Sequence, residues 1–197
     1  MIELPTWAVP NAGEPFLIDF GGVLTPGLGA EEQRINRLGN RFGILLGMPP
    51  APAHDRGRIL VSRMIRAKTE GLRVELPLLG FRPGSPGSPV VDGNGQSGTS
   101  LAVRGFSPNY PVREGQWFTH KRGDHGLLYN VAAAATADAA GEAVLTIAPM
   151  LRVEPEDGDV LLFGRPTIEG LVHGDEWRWQ MALDRNLRIE VELREQR

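Results

Sequence analysis

The most regular pattern of apolar and polar positions lies near the C-terminal end of the chain. Leu187, Ile189, Val191 and Leu193 alternate with Arg188, Glu190, Glu192 and Arg194, the period-two signature of a strand with one face on a core. Near the other end, residues 16–20 form a short apolar strand stopped by Gly21-Gly22. Phe42, Ile44 and Leu46 alternate with Arg41, Gly43 and Leu45. Residues 34–38 and 41–46 flank Gly39-Asn40, which predicts a hairpin whose first turn residue supplies the positive φ of a type II′ turn. The run Met48-Pro49-Pro50-Ala51-Pro52 is expected to stop that sheet. The period then changes: Leu60, Val61, Met64 and Ile65 fall on one helical stripe, with Arg56, Arg58, Arg63 and Arg66 mostly on the other side. One helix is predicted over residues 54–69, with Asp55 as N-cap or first-turn acid and Gly71 as its stop.

Residues 72–79 read as a strand, after which composition shifts. Residues 82–100 are dense in Gly, Pro and Ser, which is linker and turn chemistry. Five short strands follow, over residues 101–105, 116–120, 127–135, 144–149 and 160–163. So many strands in about 65 residues favour a small barrel, because an open sheet of that size leaves exposed edges. Strands over 168–172, 176–183 and 187–193 then return to the first region. The expected fold is mainly β with a minor helical part. A β core of residues 1–81 and 166–197, flanked by helix 54–69, is interrupted by an inserted β-barrel module over 86–165.

Composition adds limits. Among 197 residues, 25 Gly and 16 Pro agree with many short elements joined by turns. The net charge of −3, with bases scattered, gives no bulk attraction to nucleic acid or an anionic membrane. Without cysteine, disulfides and thiolate zinc sites are excluded. The N-terminal Met1-Ile2-Glu3-Leu4-Pro5 has neither a basic nor an apolar signal region, so no signal peptide is expected. No apolar stretch approaches the 18 or so residues of a membrane span.

Candidate chemistry is sparse. His120 and His125, with Asp124 between them, are five apart across Lys121-Arg122-Gly123, which reads as a solvated hairpin tip rather than a metal site. Gly93-Asn94-Gly95-Gln96-Ser97-Gly98 matches Gly-x-Gly-x-x-Gly, but it leads into a strand, whereas a dinucleotide fingerprint opens a helix. No Gly-x-Ser-x-Gly occurs, and Gly98-Thr99-Ser100 lies in a loop of small residues. Glu154, Glu156, Asp157 and Asp159 read as a solvated turn. Trp177 and Trp179, two apart on one strand, share a face suited to a core or subunit interface, or to a glycan. No catalytic, cofactor-binding or metal-binding residue is assigned, and no enzyme activity or cofactor is expected.

The order of segments resembles a known family. It runs from the 34–46 region with Gly39-Asn40, through Met48-Pro49-Pro50 and the helix, to the run from Val91-Asp92-Gly93 to Thr99-Ser100-Leu101. Val112-Arg113-Glu114-Gly115-Gln116-Trp117-Phe118, Ala137-Asp138-Ala139-Ala140-Gly141 and Pro149-Met150-Leu151-Arg152 follow, then Pro155-Glu156-Asp157-Gly158-Asp159. This order is similar to that of distal tail (Dit-like) proteins of long-tailed, non-contractile bacteriophages. The resemblance implies a tail-tube-like β-sandwich or split barrel with a flanking helix and an inserted barrel. It also implies a homo-oligomeric ring, often a hexamer, at the baseplate end of the virion tail. Such a ring docks on the tail tube protein, carries hub or fibre proteins, and assembles in the host bacterial cytoplasm. It implies no catalytic residues, and the charge and hydropathy above add no membrane partner and no specific nucleic-acid binding. The alternative is a carbohydrate-binding module contacting host glycans.

Overall fold

The computed structural model describes residues 1–78, 80–181 and 185–196. Among them the chain is mainly β. The first part holds β1 (Ile2–Glu3), β2 (Ala12–Ile18), β3 (Gly22–Leu24), β4 (Gln33–Ile35), β5 (Arg41–Pro52), a π turn (Ala53–Gly57), α1 (Arg58–Glu70) and β6 (Leu72–Glu75). The middle holds β7 (Gly87–Val91), β8 (Ser100–Phe106), β9 (Pro111–Val112), β10 (Trp117–Arg122), β11 (His125–Ala133), β12 (Ala135–Thr136), β13 (Ala143–Ala148) and β14 (Leu161–Leu162). The chain closes with β15 (Thr167–Val172), β16 (Trp179–Met181) and β17 (Asn186–Glu195).

Two sheets carry the fold. The larger has the order β1-β6-β15-β17-β5-β2, with β16 beside β17. The smaller has the order β14-β10-β11-β13-β8-β7. A bridge between Val90 and Val160 brings its two ends together, so it is nearly a closed barrel. Residues 87–162 supply all of the smaller sheet, and the larger one is built from chain on either side of them.

Strand β17 shows why these residues fold this way. Its alternation puts Leu187, Ile189, Val191 and Leu193 in the core. From β5 come Phe42, Ile44 and Leu46, and from α1 Met64 and Ala67. Helix α1 ends where Gly71, at φ 78°, leaves the helical region, and the Gly71 N–H bonds the Ala67 carbonyl. Inside the barrel, Phe118 and Phe163 stack with ring centroids 4.7 Å apart, and Tyr129 joins them at 5.7 Å from Phe118.

Several sequence expectations are corrected. The Gly39-Asn40 hairpin is not formed: β4 pairs with β3, while β5 pairs with β2 and β17. A long-range partner on each side of β5 outcompetes the local turn signal, and Gly39 does not take the positive φ that a II′ turn needs. Nor does the Pro-rich run stop the sheet, since β5 continues to Pro52. Its pairing with β2 ends at Gly47, and the β17 register shifts between Leu187 and Ile189, opposite Pro49-Pro50. Prolines are tolerated there because few N–H donors are needed. The Gly/Pro/Ser passage contains β7, an edge strand with Pro89 inside it. Leu79, part of the expected 72–79 strand, and Ala182 and Leu183, part of the expected 176–183 strand, lie outside the described residues.

Candidate interaction surface

The charged residues singled out in the sequence go mostly to structural work. His120 is not on a hairpin tip: β10 continues to Arg122, and the β10–β11 turn is Gly123-Asp124. The imidazole is fully buried. Its Nε2 donates to Asp159 Oδ2 at 2.8 Å, and its Nδ1 has no partner. Burial pushes the His120 pKa down, against the pull of Asp159. His125 is exposed at the end of β11, so the two histidines are not brought together as ligands. Among the described residues no cluster of three or more His, Asp or Glu side chains could hold a metal ion.

The acidic turn is organised rather than simply solvated. Asp159 also accepts from the Glu156 N–H at 2.9 Å, and Arg122 pairs with Glu156. Asp157 and Asp92 both pair with Arg104. Arg122 and Arg104 hold the Glu156 and Asp157 carboxyls below the usual range. The Gly-x-Gly-x-x-Gly run is a turn segment, with Gly93, Gly95 and Gly98 at positive φ. The two tryptophans do not share a strand face. Trp177 precedes β16 and donates to the Glu190 carbonyl at 2.9 Å. Trp179 is 39% exposed, with ring centroids 5.0 Å apart.

Two buried carboxylates that no local pattern revealed bind the sheets to each other. Glu195, at the end of β17, receives a two-pronged Arg152 guanidinium at 2.9 and 3.0 Å. It also accepts from the backbone N–H of Phe42 at 2.7 Å and of Leu128 at 2.8 Å. Burial raises the Glu195 pKa, while Arg152 and the two amides pull it down. Glu169 on β15 accepts from Arg73 at 2.6 Å, the Gly126 N–H at 2.8 Å and Lys121 at 3.1 Å. Burial alone pushes Glu169 up, but these donors outweigh it and hold the carboxyl below its ordinary value. The barrel is therefore held on the larger sheet by charge as well as by Leu128, whose side chain lies in the other core.

One region is built differently. Residues 19–40 form an arm whose only ladder is three residue pairs, from Gly22↔Ile35 to Leu24↔Gln33. Its base is anchored: the Phe20 N–H bonds Asn40 Oδ1 at 2.8 Å, Arg34 pairs with Asp19, and Arg41 stacks over the Phe20 ring at 4.8 Å. Its tip is not. Every residue from 27 to 39 is exposed. Val23 and Leu24 are 53% exposed, Leu38 59% and Leu28 100%. A two-stranded ribbon alone is marginal in water, and exposed apolar side chains concentrated on one element make the arm a candidate interaction surface.

At the base of the arm lies a cleft of about 470 Å³ between the two sheets. Leu17, Phe42, Trp117, Ile147, Pro149 and Met150 give it an apolar wall, with Trp117 edge-on to Phe42 at 4.8 Å. Asn36, Arg37, Thr99 and Asn130 add polar groups. The sheet edges, by contrast, are blunted. β1 has two residues, β2 has Pro15 at its middle and β7 has Pro89. Short and proline-bearing edges resist strand addition.

No helix among the described residues is long and apolar enough to cross a membrane. No family model matches the chain, and no curated protein matches its sequence.

Proposed function

We propose that this chain is a non-catalytic structural subunit of a tailed-bacteriophage particle. It assembles as a ring at the distal end of the tail, between the tail tube and host-facing hub or fibre proteins. The observation that carries the assembly reading is the arm, with Leu28 fully exposed at its tip and Val23, Leu24 and Leu38 half exposed or more. The placement in a phage tail is supported by the ordered resemblance over residues 31–197. A β scaffold whose parts are clamped by Arg152–Glu195 and by Glu169 suits a load-bearing subunit. Stable homo-oligomers typically bury about 2,000 Å² or more in total, and identical subunits joined head to tail close into rings.

Native mass spectrometry of the full chain, alone and mixed with a tail-tube protein, tests the reading. A closed ring, of six copies by the resemblance, is the expected result, and monomer under every condition overturns the proposal.

A second reading has one observation in its favour. In the cleft, Trp117 lies near Asn36, Arg37 and Thr99, whose side chains make no hydrogen bond among the described residues. An aromatic wall with free amide, hydroxyl and guanidinium groups is the chemistry that takes a saccharide. A glycan array probed with the full chain separates the two readings.

A further inference from the structure

We infer that the arm tip of one copy, led by Leu28, seats in the apolar cleft at the arm base of a second copy. This rests on the ring reading above and names its joint. The fully exposed Leu28 is an anchor without a socket, and the cleft of about 470 Å³ is a socket without an occupant. That volume is within the range of roughly 300–1,000 Å³ that takes a compact ligand or a few side chains.

A tip does not reach the cleft of its own chain. Asn36, Arg37 and Asn40, at the base of the same arm, line that cleft. The tip lies beyond the Leu24↔Gln33 pair. The three residues of β3, Gly22–Leu24, place it about 10 Å further out. Charge supports the same pairing. Glu31 sits exposed beside the tip and Arg37 exposed beside the cleft, and neither makes an ion pair among the described residues. Docking the tip brings Glu31 and Arg37 of different copies together. Anchor and socket are different patches of one chain, so the contact is head to tail, the kind that propagates until rotation closes a ring. Blunted sheet edges remove the obvious competing joint.

The chain has no cysteine, so Leu28→Cys with Met150→Cys introduces its only two thiols. Mild oxidation of the full-length double variant is expected to give a ladder beyond dimer on a non-reducing gel. Each single variant stops at dimer or below. An intramolecular disulfide, with monomer as the only product, overturns the inference by placing the tip in its own cleft. Absence of cross-links while the unmodified chain forms rings also overturns it, but leaves the ring reading standing. If the unmodified chain stays monomeric with and without tail-tube protein, the ring reading fails and this joint with it. A second series needs no oxidation. Leu28→Asp weakens association tenfold or more with an unchanged melting temperature. Arg37→Glu weakens it as well, and adding Glu31→Arg to the same chain restores it. Saccharide binding that perturbs Trp117 fluorescence in the assembled ring shows the cleft to be vacant there, and also overturns the inference.

Discussion

The barrel-to-sheet junction and the arm meet within one chain yet solve opposite problems. At the junction, the Arg152 and Glu195 side chains are 3% and 1% exposed, and the carboxylate has four converging donors. Glu169 likewise takes donors from three elements. In the arm, apolar side chains stand in water and the ladder is three pairs long. A region that satisfies its own groups explains the fold of the subunit. The arm leaves apolar side chains exposed instead, and that difference is the observation on which the proposed assembly rests.

The largest effect is expected where the junction is cut on one side. Arg152→Met leaves Glu195 buried with no ion partner, and unfolding in denaturant should show a loss of about 3–5 kcal/mol. Replacing both residues by Met should cost less than the single change, because no charge is left stranded. A single-variant loss under about 1 kcal/mol means the junction is not held by this pair.

Next comes the close approach of β15 and β17. A Cβ on Gly170 collides with the Arg194 carbonyl, so Gly170→Ala should cost about 1–3 kcal/mol by overpacking. An unchanged melting temperature would place those strands further apart than described.

The pH response is smaller and has a fixed sign. Burial depresses the folded-state pKa of His120 below its ordinary value of 6.5, so the unfolded chain binds the proton more readily. The His120 contribution is complete above that value and is lost as pH falls below it. Asp159, held low by the Glu156 N–H and His120 against its burial, keeps its contribution in full above the ordinary carboxylate pKa of 3.8 and loses it only as pH falls below that value. Between pH 7.5 and 5.5, then, the melting temperature should fall in the native chain. The fall should shrink in His120→Gln, which keeps a donor for Asp159 but does not titrate. An equal fall in both chains assigns the response to other groups.

The smallest effect on subunit stability is expected in the arm. Leu24→Ser or Leu38→Ser should change the stability of the monomer by no more than about 0.5 kcal/mol, as for exposed sites generally. Guanidinium unfolding of dilute protein measures this, and a loss of several kcal/mol would mean that the arm packs on its own subunit.

Much of the fold was legible in the residues because its signals are local. The alternation of β17 and the stripe of Leu60 and Met64 on α1 each reflect one buried face. The misreadings fall where a distant partner decides. Gly39-Asn40 carries a turn signal, but the β2 and β17 ladders claim β5. Pro49 and Pro50 stay in a strand because the register slips beside them. Lys121 and Arg122 suggested a solvated loop, yet β10 runs on through them to Arg122 and buries His120. Arg152 and Glu195 are 43 residues apart, and no spacing rule joins them. Residues 34–38 read as one strand of a hairpin with 41–46, and only the structure shows that part of the chain in an arm whose apolar side chains stand in water.

The most direct test of the central claim compares the full chain with one whose residues 24–33 are replaced by a short Asn-Gly turn. Native mass spectrometry should find a closed ring for the first and a monomer with an unchanged melting temperature for the second. The same oligomeric state for both, whether ring or monomer, would contradict the claim that the arm assembles this protein.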